Sequence, residues 1–278
     1  MIMFLDGRFV PREEARISPE DRGFLFADAI YEVVRFHRGS PYRFAEHMAR
    51  LREGLDAVRI AADVSRFPEV AARLLADNGL SDADALVYFQ VSRGAAPRAH
   101  HFPPAGTPAT LFAFARRTDP PPSPAGGTAI LLPDERWGRC DIKTVMLLPN
   151  VLAAQAARDA GAMDAILVRD GFALEGTKAN LVLVSEGAVR TAPNGPRILP
   201  GVTRAAVLDA ARREGLRVEE RAFTVEEMFA GEELFFASTT LWTYPVVAVD
   251  GRPIGAGRPG PVCARLAEIL RAEFAGGR

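Results

Sequence analysis

Apolar and polar positions alternate in some segments of the chain and repeat every three or four residues in others. Residues 29–37, AIYEVVRFH, are apolar and β-branched, which is typical of a strand. Residues 46–60 place Leu51, Leu55 and Val58 on one face of a helix. The same patterns predict further helices over 66–77, 150–160, 203–214 and 261–275, and further strands over 85–92, 110–115, 128–132, 165–169, 180–184, 188–191, 234–237, 246–249 and 252–254. Because these elements mix without regular β–α–β alternation, the sequence predicts an α+β fold.

A proline-rich segment interrupts this pattern near the middle of the chain. Residues 117–126 read RTDPPPSPAG, and proline cannot donate a hydrogen bond within a helix or a sheet. A chain of 278 residues can form two domains of ordinary size. We therefore expect an N-terminal α+β domain over 1–116, a linker over 117–126 and a C-terminal α+β domain over 127–278.

Charge, composition and cysteine content argue against several classes of function. The formal net charge of −1 gives no basic field for nucleic acid or for an acidic membrane surface. No apolar run reaches the roughly 18 residues of a membrane span, and the first residues lack the apolar run of a signal peptide. The two cysteines and four histidines show no metal-ligand spacing. We expect a cytoplasmic protein with no metal ion, no nucleic-acid partner and no membrane partner.

Lysine is nearly absent from the chain. Only two of the 34 basic residues, Lys143 and Lys178, are lysines, and the others are arginines. A guanidinium stays protonated and is a poor nucleophile, whereas an amine can lose its proton and attack a carbonyl. Either lysine is therefore a candidate for covalent chemistry. The alternative is that two lysines remain by chance in a chain whose composition favours arginine.

Several segments of the C-terminal half carry candidate chemistry, and each also has an ordinary structural explanation. Lys143 lies among apolar residues that would desolvate its amine, or it is a strand-edge lysine whose ammonium reaches solvent. Glu175 follows a predicted hairpin and suits a pyridine nitrogen, or it is a turn carboxylate. Residues 201–203 begin a helix whose N-terminus suits a phosphate, or Thr203 simply caps the helix. The hydroxyls of residues 238–240 either bind the same phosphate or end a strand.

Short segments spread over nearly the whole chain form a specific set. They are residues 21–24 (DRGF), 26–34 (FADAIYEVV), 46–51 (EHMARL), 88–94 (YFQVSRG), 97–100 (PRAH), 136–143 (RWGRCDIK), 175–176 (EG), 180 (N), 201–204 (GVTR) and 238–240 (STT). Together they resemble the fold type IV pyridoxal-phosphate aminotransferases, and within that family most closely the D-amino-acid aminotransferases. The resemblance implies a two-domain architecture with pyridoxal 5'-phosphate between the domains.

The resemblance also implies a role for each matching site residue. Lys143 would form a Schiff base with the cofactor and shuttle the substrate proton, and Glu175 would pair with the pyridine nitrogen. The residues implied to hold the cofactor phosphate are Arg50, Val202, Thr203 and Thr239. The residues implied to bind the substrate α-carboxylate are Tyr31, Arg98 and His100. His101 is an alternative to His100, but the Arg-x-His spacing favours His100.

The implied function is the exchange of an amino group between a D-amino acid, of the D-alanine or D-glutamate type, and a 2-oxo acid by a homodimer. Alternatives on the same fold are a branched-chain L-amino-acid aminotransferase, an R-selective amine transaminase and an aminodeoxychorismate lyase. Arg98 and His100 argue against these three, because the pair suits the carboxylate of a D-amino acid. A non-catalytic cofactor-binding protein is a remoter alternative, against which Lys143 and Glu175 argue. Lys178 replaces the small hydroxyl residue frequent at this place in the family, and it could face the cofactor, the bound carboxylate or solvent.

Overall fold

A computed structural model describes residues 1–119 and 125–276, which divide into two compact units. The first unit holds residues 1–119 together with 142–146, and the second holds 125–141 and 147–276. Residues 120–124, which belong to the expected linker over 117–126, lie outside the described residues. The expected N-terminal domain ended at residue 116, and the last strand before the linker ends at Arg117.

The first unit is an antiparallel sheet with helices. Its elements are β1 (Ile2–Leu5), β2 (Arg8–Pro11), a 3-10 turn (Arg12–Glu14), α1 (Arg22–Phe26), β3 (Ala29–His37), β4 (Ser40–Pro41), α2 (Phe44–Ala57), α3 (Phe67–Asp77), β5 (Asp84–Ser92) and β6 (Thr110–Arg117). The strand order is β2–β1–β6–β5–β3–β4, and every neighbouring pair is antiparallel. Alternate residues of β3 from Ile30 to Phe36 face the core and are buried.

Helix α2 lies close against strand β3. Gly54 allows this approach, because a Cβ at its position would lie 3.1 Å from Cγ2 of Ile30. Leu51 and Leu55 are buried, as their helical spacing predicted. The helix begins at Phe44 and ends at Ala57 rather than at 46 and 60, because Arg59 adopts a left-handed backbone with φ of 56°.

Residues 142–146 belong to the first unit, although the residues before and after them belong to the second. Their main chain pairs with β3: Tyr31 N donates to Lys143 O at 3.0 Å, and Val145 N donates to Ala29 O at 3.2 Å. Lys143 was expected in a C-terminal domain over 127–278, and the structure instead groups it with the first unit. The cause is this long-range pairing, for which the sequence pattern gave no signal.

The second unit is built on a large sheet. Its elements are β7 (Gly127–Pro133), α4 (Leu148–Asp159), β8 (Asp164–Arg169), β9 (Phe172–Gly176), β10 (Asn180–Ser185), β11 (Ala188–Thr191), α5 (Val202–Arg213), β12 (Arg217–Glu220), β13 (Phe223–Thr224), α6 (Val225–Ala230), β14 (Glu233–Ser238), β15 (Trp242–Val249), β16 (Arg252–Pro253) and α7 (Pro261–Ala275). The strand order is β12–β11–β10–β14–β15–β7–β8–β9–β13, and β16 pairs with β15. The β11–β12, β7–β15 and β7–β8 pairs are parallel.

Six strands of the second unit close on themselves. Strand β9 pairs with β10 as well as with β8, and Glu175 lies opposite Asn180 in that extra pairing. The pairings β10–β14–β15–β7–β8–β9–β10 therefore form a ring. A single apolar cluster, which includes Ile166, Leu181 and Phe236, draws buried side chains from all six strands. Closure brings the residues of β9 and β10 into register, and the candidate site of this unit depends on that register.

The expectation of a mixed α+β chain is confirmed. The sequence pattern did not predict the β1–β2 hairpin, β12, β13 or α6, because these elements have only two to six residues each and so show little periodicity. The expectation that Glu175 follows a hairpin is wrong: the residue lies within β9, the second strand of the β8–β9 hairpin. No helix in the two described ranges is both long and apolar enough to cross a membrane.

Candidate functional site

Lys143 and Tyr31 lie together in the first unit. Besides the main-chain hydrogen bond between them, Lys143 Nζ lies 4.3 Å from the centroid of the Tyr31 ring, where the negative face of the ring attracts an ammonium. The Tyr31 ring stacks in turn on that of Tyr88, with 5.5 Å between centroids. Both Lys143 and Tyr31 are half-buried, so the amine is positioned and still accessible to a ligand.

The apolar residues beside Lys143 in the sequence differ in exposure. Ile142 is buried, but Met146 and Leu148 are 41% and 68% exposed. Desolvation of the amine by these sequence neighbours stays a prediction. A nonpolar surface against the lysine comes from the Tyr31 ring, on a strand distant in the sequence.

Arg98 and His100 both lie beside the ring of Phe26 at the end of α1. The Arg98 Cζ atom is 5.0 Å from the ring centroid, and the His100 ring centroid is 5.7 Å from it. Both residues are exposed. The structure thus brings two of the predicted carboxylate ligands together. Tyr31, the third, makes the separate contacts described above, so the grouping of all three stays a prediction.

Arg50 forms a buried charge cluster with Glu32 and His47. Its Nε donates to Glu32 Oε2 at 2.9 Å and its Nη2 donates to Glu32 Oε1 at 2.7 Å, which is the two-pronged geometry that guanidinium favours. His47 Nδ1 lies 3.1 Å from Glu32 Oε1. Burial alone would raise the pKa of Glu32, but the charges of Arg50 and His47 hold it well below its usual range. The predicted phosphate role of Arg50 stays a prediction.

Glu175 stands at the centre of a buried polar network in the second unit. Asn180 Nδ2 donates to Glu175 Oε2 at 2.9 Å, and the main-chain N–H of Leu199 donates to the same oxygen at 3.2 Å. Arg136 Nη1 also donates to the Glu175 carboxylate. The Nε and Nη2 of Arg136 donate to Asp134 at 2.8 and 2.9 Å, so one guanidinium is shared by two carboxylates.

Burial governs the protonation of Glu175. The residue is 4% exposed, and burial raises its pKa to about 7 against the lowering influence of Arg136 and of the Leu199 N–H. A carboxyl group with such a pKa can share a proton with a basic nitrogen near neutral pH. A turn carboxylate would be exposed and solvated, so the ordinary structural explanation of Glu175 does not hold.

Helix α5 begins in a way that leaves main-chain N–H groups for an anion. Its N-cap residue is Gly201, which supplies no side-chain cap, and Val202 and Thr203 are buried in the first turn. Thr203 is therefore not the cap residue. Uncapped N–H groups and the positive end of the helix dipole suit a phosphate. Only glycine fits at position 201, because a Cβ there would lie 2.0 Å from Asn180 Oδ1, so Asn180 links the helix start to Glu175.

Thr239 lies in the turn between β14 and β15, where it is half-buried. In the same turn the N–H of Leu241 donates to Ser238 Oγ at 3.2 Å. Trp242 follows with a left-handed φ of 62°, a conformation that is costly for a bulky residue and persists where the surroundings impose it. The turn is thus constrained, and the phosphate role of Thr239 stays a prediction.

The connection from β9 to β10 carries Lys178. Thr177 anchors it on both sides: its Oγ1 donates to Asp164 Oδ1 at 2.5 Å, and its carbonyl accepts from Asn150 Nδ2 at 2.7 Å. Every residue from 173 to 185 is buried except Lys178, which is exposed. The second lysine therefore stands on a segment that is otherwise fixed in the core.

Some of these partners had a signal in the sequence. Glu32 falls on the buried alternation of an otherwise apolar strand, where a carboxylate requires a partner. His47 and Arg50 are three residues apart, and so lie on the same face of α2. The link between Asp134, Arg136 and Glu175 had no local signal, because it joins the end of β7 to β9. Across residues 1–119 and 125–276, no group of three or more potential ligand side chains could hold a metal ion.

Curated proteins match this chain over almost its whole length. A family model described as amino-transferase class IV matches residues 29–249. The D-alanine aminotransferase of Bacillus licheniformis is 38% identical over 277 residues, which cover 98% of this chain and 96% of that protein. The D-alanine aminotransferase of Staphylococcus haemolyticus is 35% identical over 270 residues, which cover 96% and 95%.

Solved structures share the fold at similar coverage. The branched-chain amino acid aminotransferase from Escherichia coli is 25% identical with a TM-score of 0.89, and the match covers 99% of this chain and 95% of that chain. The branched-chain aminotransferase from the thermophilic archaeon Thermoproteus uzoniensis, solved with norvaline, is 24% identical with a TM-score of 0.88, covering 100% and 96%. Their sequences are less similar to this chain than those of the two D-alanine aminotransferases.

Proposed function

Because this chain belongs to the class IV aminotransferases, we propose that it transfers the amino group of a D-amino acid, of the D-alanine or D-glutamate type, to a 2-oxo acid. The observation that carries the proposal is the identity of 38% and 35% to D-alanine aminotransferases over 98% and 96% of the chain. The branched-chain aminotransferase from Escherichia coli matches at 25% identity. A D-amino acid is therefore favoured over a branched-chain L-amino acid as the donor.

The residues of the second unit fit pyridoxal phosphate, the cofactor of this family. The buried Glu175 carboxyl, whose pKa is raised to about 7, suits a ligand with a basic ring nitrogen. The uncapped start of α5 suits a phosphate, and a side chain at Gly201 would collide with Asn180 Oδ1. When bound, the cofactor supplies an aldehyde that condenses with amines and a ring that accepts electrons from the substrate.

We assign to each site residue a role that its functional group can perform. Lys143 Nζ would be the amine that holds the cofactor covalently and that moves the proton at the substrate Cα. Tyr31 holds this amine at its ring face, and Glu175 holds a proton at the pyridine nitrogen. The phosphate ligands are Arg50, Val202, Thr203 and Thr239.

The substrate α-carboxylate is bound by Arg98, His100 and Tyr31. Arg98→Met should raise the KM for D-alanine about tenfold or more, because a two-pronged charged contact is lost. The KM for an amine that has no carboxylate should stay within about twofold, and so should all values in the control Arg52→Met, an exposed arginine of α2. Equal changes for both substrates would contradict the assignment and favour an R-selective amine transaminase.

A donor panel tests the proposed function. Purified protein with pyridoxal phosphate and 2-oxoglutarate is given D-alanine, L-alanine or L-leucine in turn, and the 2-oxo acid formed from each donor is measured. We expect D-alanine to yield pyruvate at least about a hundredfold faster than L-alanine. A protein that uses L-leucine and leaves D-alanine unchanged would overturn the proposal in favour of a branched-chain aminotransferase.

We also propose that the protein acts in the cytoplasm as a homodimer, and the family resemblance implies the dimer. Supporting this, Leu148, Val151 and Leu152 on α4 are 68%, 57% and 59% exposed in the single chain, as apolar side chains at a subunit interface would be. Light scattering on the purified protein should give twice the mass of one chain, and a monomer at micromolar concentration would contradict the dimer.

A further inference from the structure

Lys178 has no part in the machinery proposed above. It is one of two lysines among 34 basic residues and the only exposed residue between 173 and 185. It also stands between two paired residues of the candidate site, Glu175 at the end of β9 and Asn180 at the start of β10. A flexible cation at this place can contact an anion from outside the chain.

The backbone that carries Lys178 is fixed on all sides. Gly176 N donates to Ala179 O at 2.7 Å, which closes the connection between the strands. Thr177 is held by Asp164 through its hydroxyl at 2.5 Å and its N–H at 3.3 Å. The position of the Lys178 backbone relative to Glu175 is therefore set, while four rotatable bonds leave its ammonium free to move.

The Lys178 ammonium forms no ion pair with any residue of the described ranges, whereas several arginines of the same unit are paired. Arg136 and Arg169 both contact Asp134, and Arg197 contacts Asp170. The charge of Lys178 does act on the buried carboxyl of Asp164: burial raises the pKa of Asp164, and Lys178 opposes that shift together with the hydrogen bonds from Thr177 and Ala165. The competing explanation of Lys178 is that its positive charge stabilises the ionised carboxylate of Asp164.

We propose that Lys178 recognises the second carboxylate of a dicarboxylic substrate, as in D-glutamate and 2-oxoglutarate. The proposal rests on the proposed function and names its substrate class. The proposed function already assigns ligands to the α-carboxylate and to the phosphate, so an additional unpaired cation on the β9–β10 connection that follows Glu175 suits an additional anion. A compact ammonium on a flexible stem also tolerates D-alanine, because it can stay in solvent when the substrate has no second carboxylate.

The test compares a dicarboxylic and a monocarboxylic ligand in the holoenzyme. Lys178→Met keeps most of the length of the side chain and removes its charge, and Lys178→Arg keeps the charge. We measure the KM and kcat for D-glutamate and D-alanine, and separately the equilibrium binding of the unreactive acids glutarate and butanoate. In Lys178→Met the ratio of the D-glutamate KM to the D-alanine KM should rise about tenfold, which corresponds to about 1.4 kcal/mol of lost binding free energy. The kcat ratio should change less than about twofold, and Lys178→Arg should restore most of the selectivity.

The control is Arg158→Met, which removes an equally exposed cation from α4 of the same unit and should change neither ratio. If Lys178→Met weakens the binding of both substrates equally, or only lowers thermal stability, the lysine stabilises the charge of Asp164 or supports the fold. Either result overturns the proposal. The measurement of glutarate and butanoate binding distinguishes failure of the dicarboxylate site from failure of the proposed function. Loss of glutarate affinity in a protein that shows no D-amino-acid transamination would retain the dicarboxylate site and refute the proposed function, whereas active protein with unchanged glutarate affinity would refute the site alone.

Discussion

The Lys143 ammonium lies 4.3 Å from the centroid of the Tyr31 ring, and the main chains of the two residues are hydrogen-bonded. A second main-chain bond, from Val145 N to Ala29 O, fixes the other side of the lysine on β3. The backbone that carries this amine is therefore held by β3 rather than by β7 and α4, the elements that adjoin it in the sequence. One strand thus supplies both the ring beside Lys143 and, one residue later, the Glu32 that binds Arg50.

Glu175 should make the stability of the cofactor-free protein fall as the pH rises toward neutrality. Its pKa is about 7 in the folded chain against the ordinary 4.5, so between these values the folded state keeps a proton that the unfolded state has lost. This contribution is greatest below the unfolded pKa and is lost by about pH 7, a change of about 3 kcal/mol. The difference in the free energy of unfolding between wild type and Glu175→Gln, measured by denaturant titration from about pH 5 to about pH 8, should follow that slope.

A matched control for this titration is Glu46→Gln, at an exposed carboxylate of α2. Its difference from wild type should not vary over the same interval. A wild-type minus Glu175→Gln difference that is equally flat would show that the pKa of Glu175 is not raised.

Glu32→Gln should destabilise the first unit by about 3 kcal/mol, because the buried guanidinium of Arg50 would lose the charge that compensates it. The pKa of Glu32 is depressed below the ordinary 4.5. Its stabilising contribution is therefore present above that value and is lost as the pH falls through the folded pKa. Chemical denaturation at about pH 7 should show the full loss, with Glu46→Gln changed by less than about 0.5 kcal/mol. A Glu32→Gln variant as stable as wild type would contradict the role of this cluster.

Gly201→Ala should weaken pyridoxal phosphate binding by at least about tenfold. The added Cβ would meet Asn180 Oδ1 at 2.0 Å, so either the start of α5 or the Asn180–Glu175 hydrogen bond must shift. Fluorescence titration of the cofactor-free protein measures the affinity. Gly195→Ala is the control in the same unit, because nothing lies within 4 Å of its Cβ position. Equal affinities in the two variants would remove α5 from the phosphate site.

Sequence patterning predicted the longer elements because they bury regular apolar faces. Strand β3 appears over the predicted residues, and α7 begins and ends where its pattern does. What patterning could not supply is long-range pairing. The β9–β10 closure joins Glu175 to Asn180, and residues 142–146 pair with β3, and neither contact has a local signature.

The sequence singled out individual residues of the candidate site, but it did not predict the contacts that these residues make. Lys143 and Glu175 were singled out by lysine scarcity and motif context. The partners that set their environment, Tyr31 for the lysine ammonium and Arg136 for the carboxylate, come from other segments. Burial of Glu175, which raises its pKa, follows from strand closure and could not be inferred from its neighbours in the sequence.

The most direct test of the account is to identify which of the two lysines binds the cofactor. The holoenzyme is reduced with borohydride, which makes the bond between lysine and cofactor permanent, and the digest is analysed by mass spectrometry. We predict the phosphopyridoxyl mass on the peptide that contains Lys143, together with loss of the visible cofactor absorbance in Lys143→Ala and its retention in Lys178→Ala. The phosphopyridoxyl mass on the Lys178 peptide, or visible absorbance that survives in Lys143→Ala, would contradict the account.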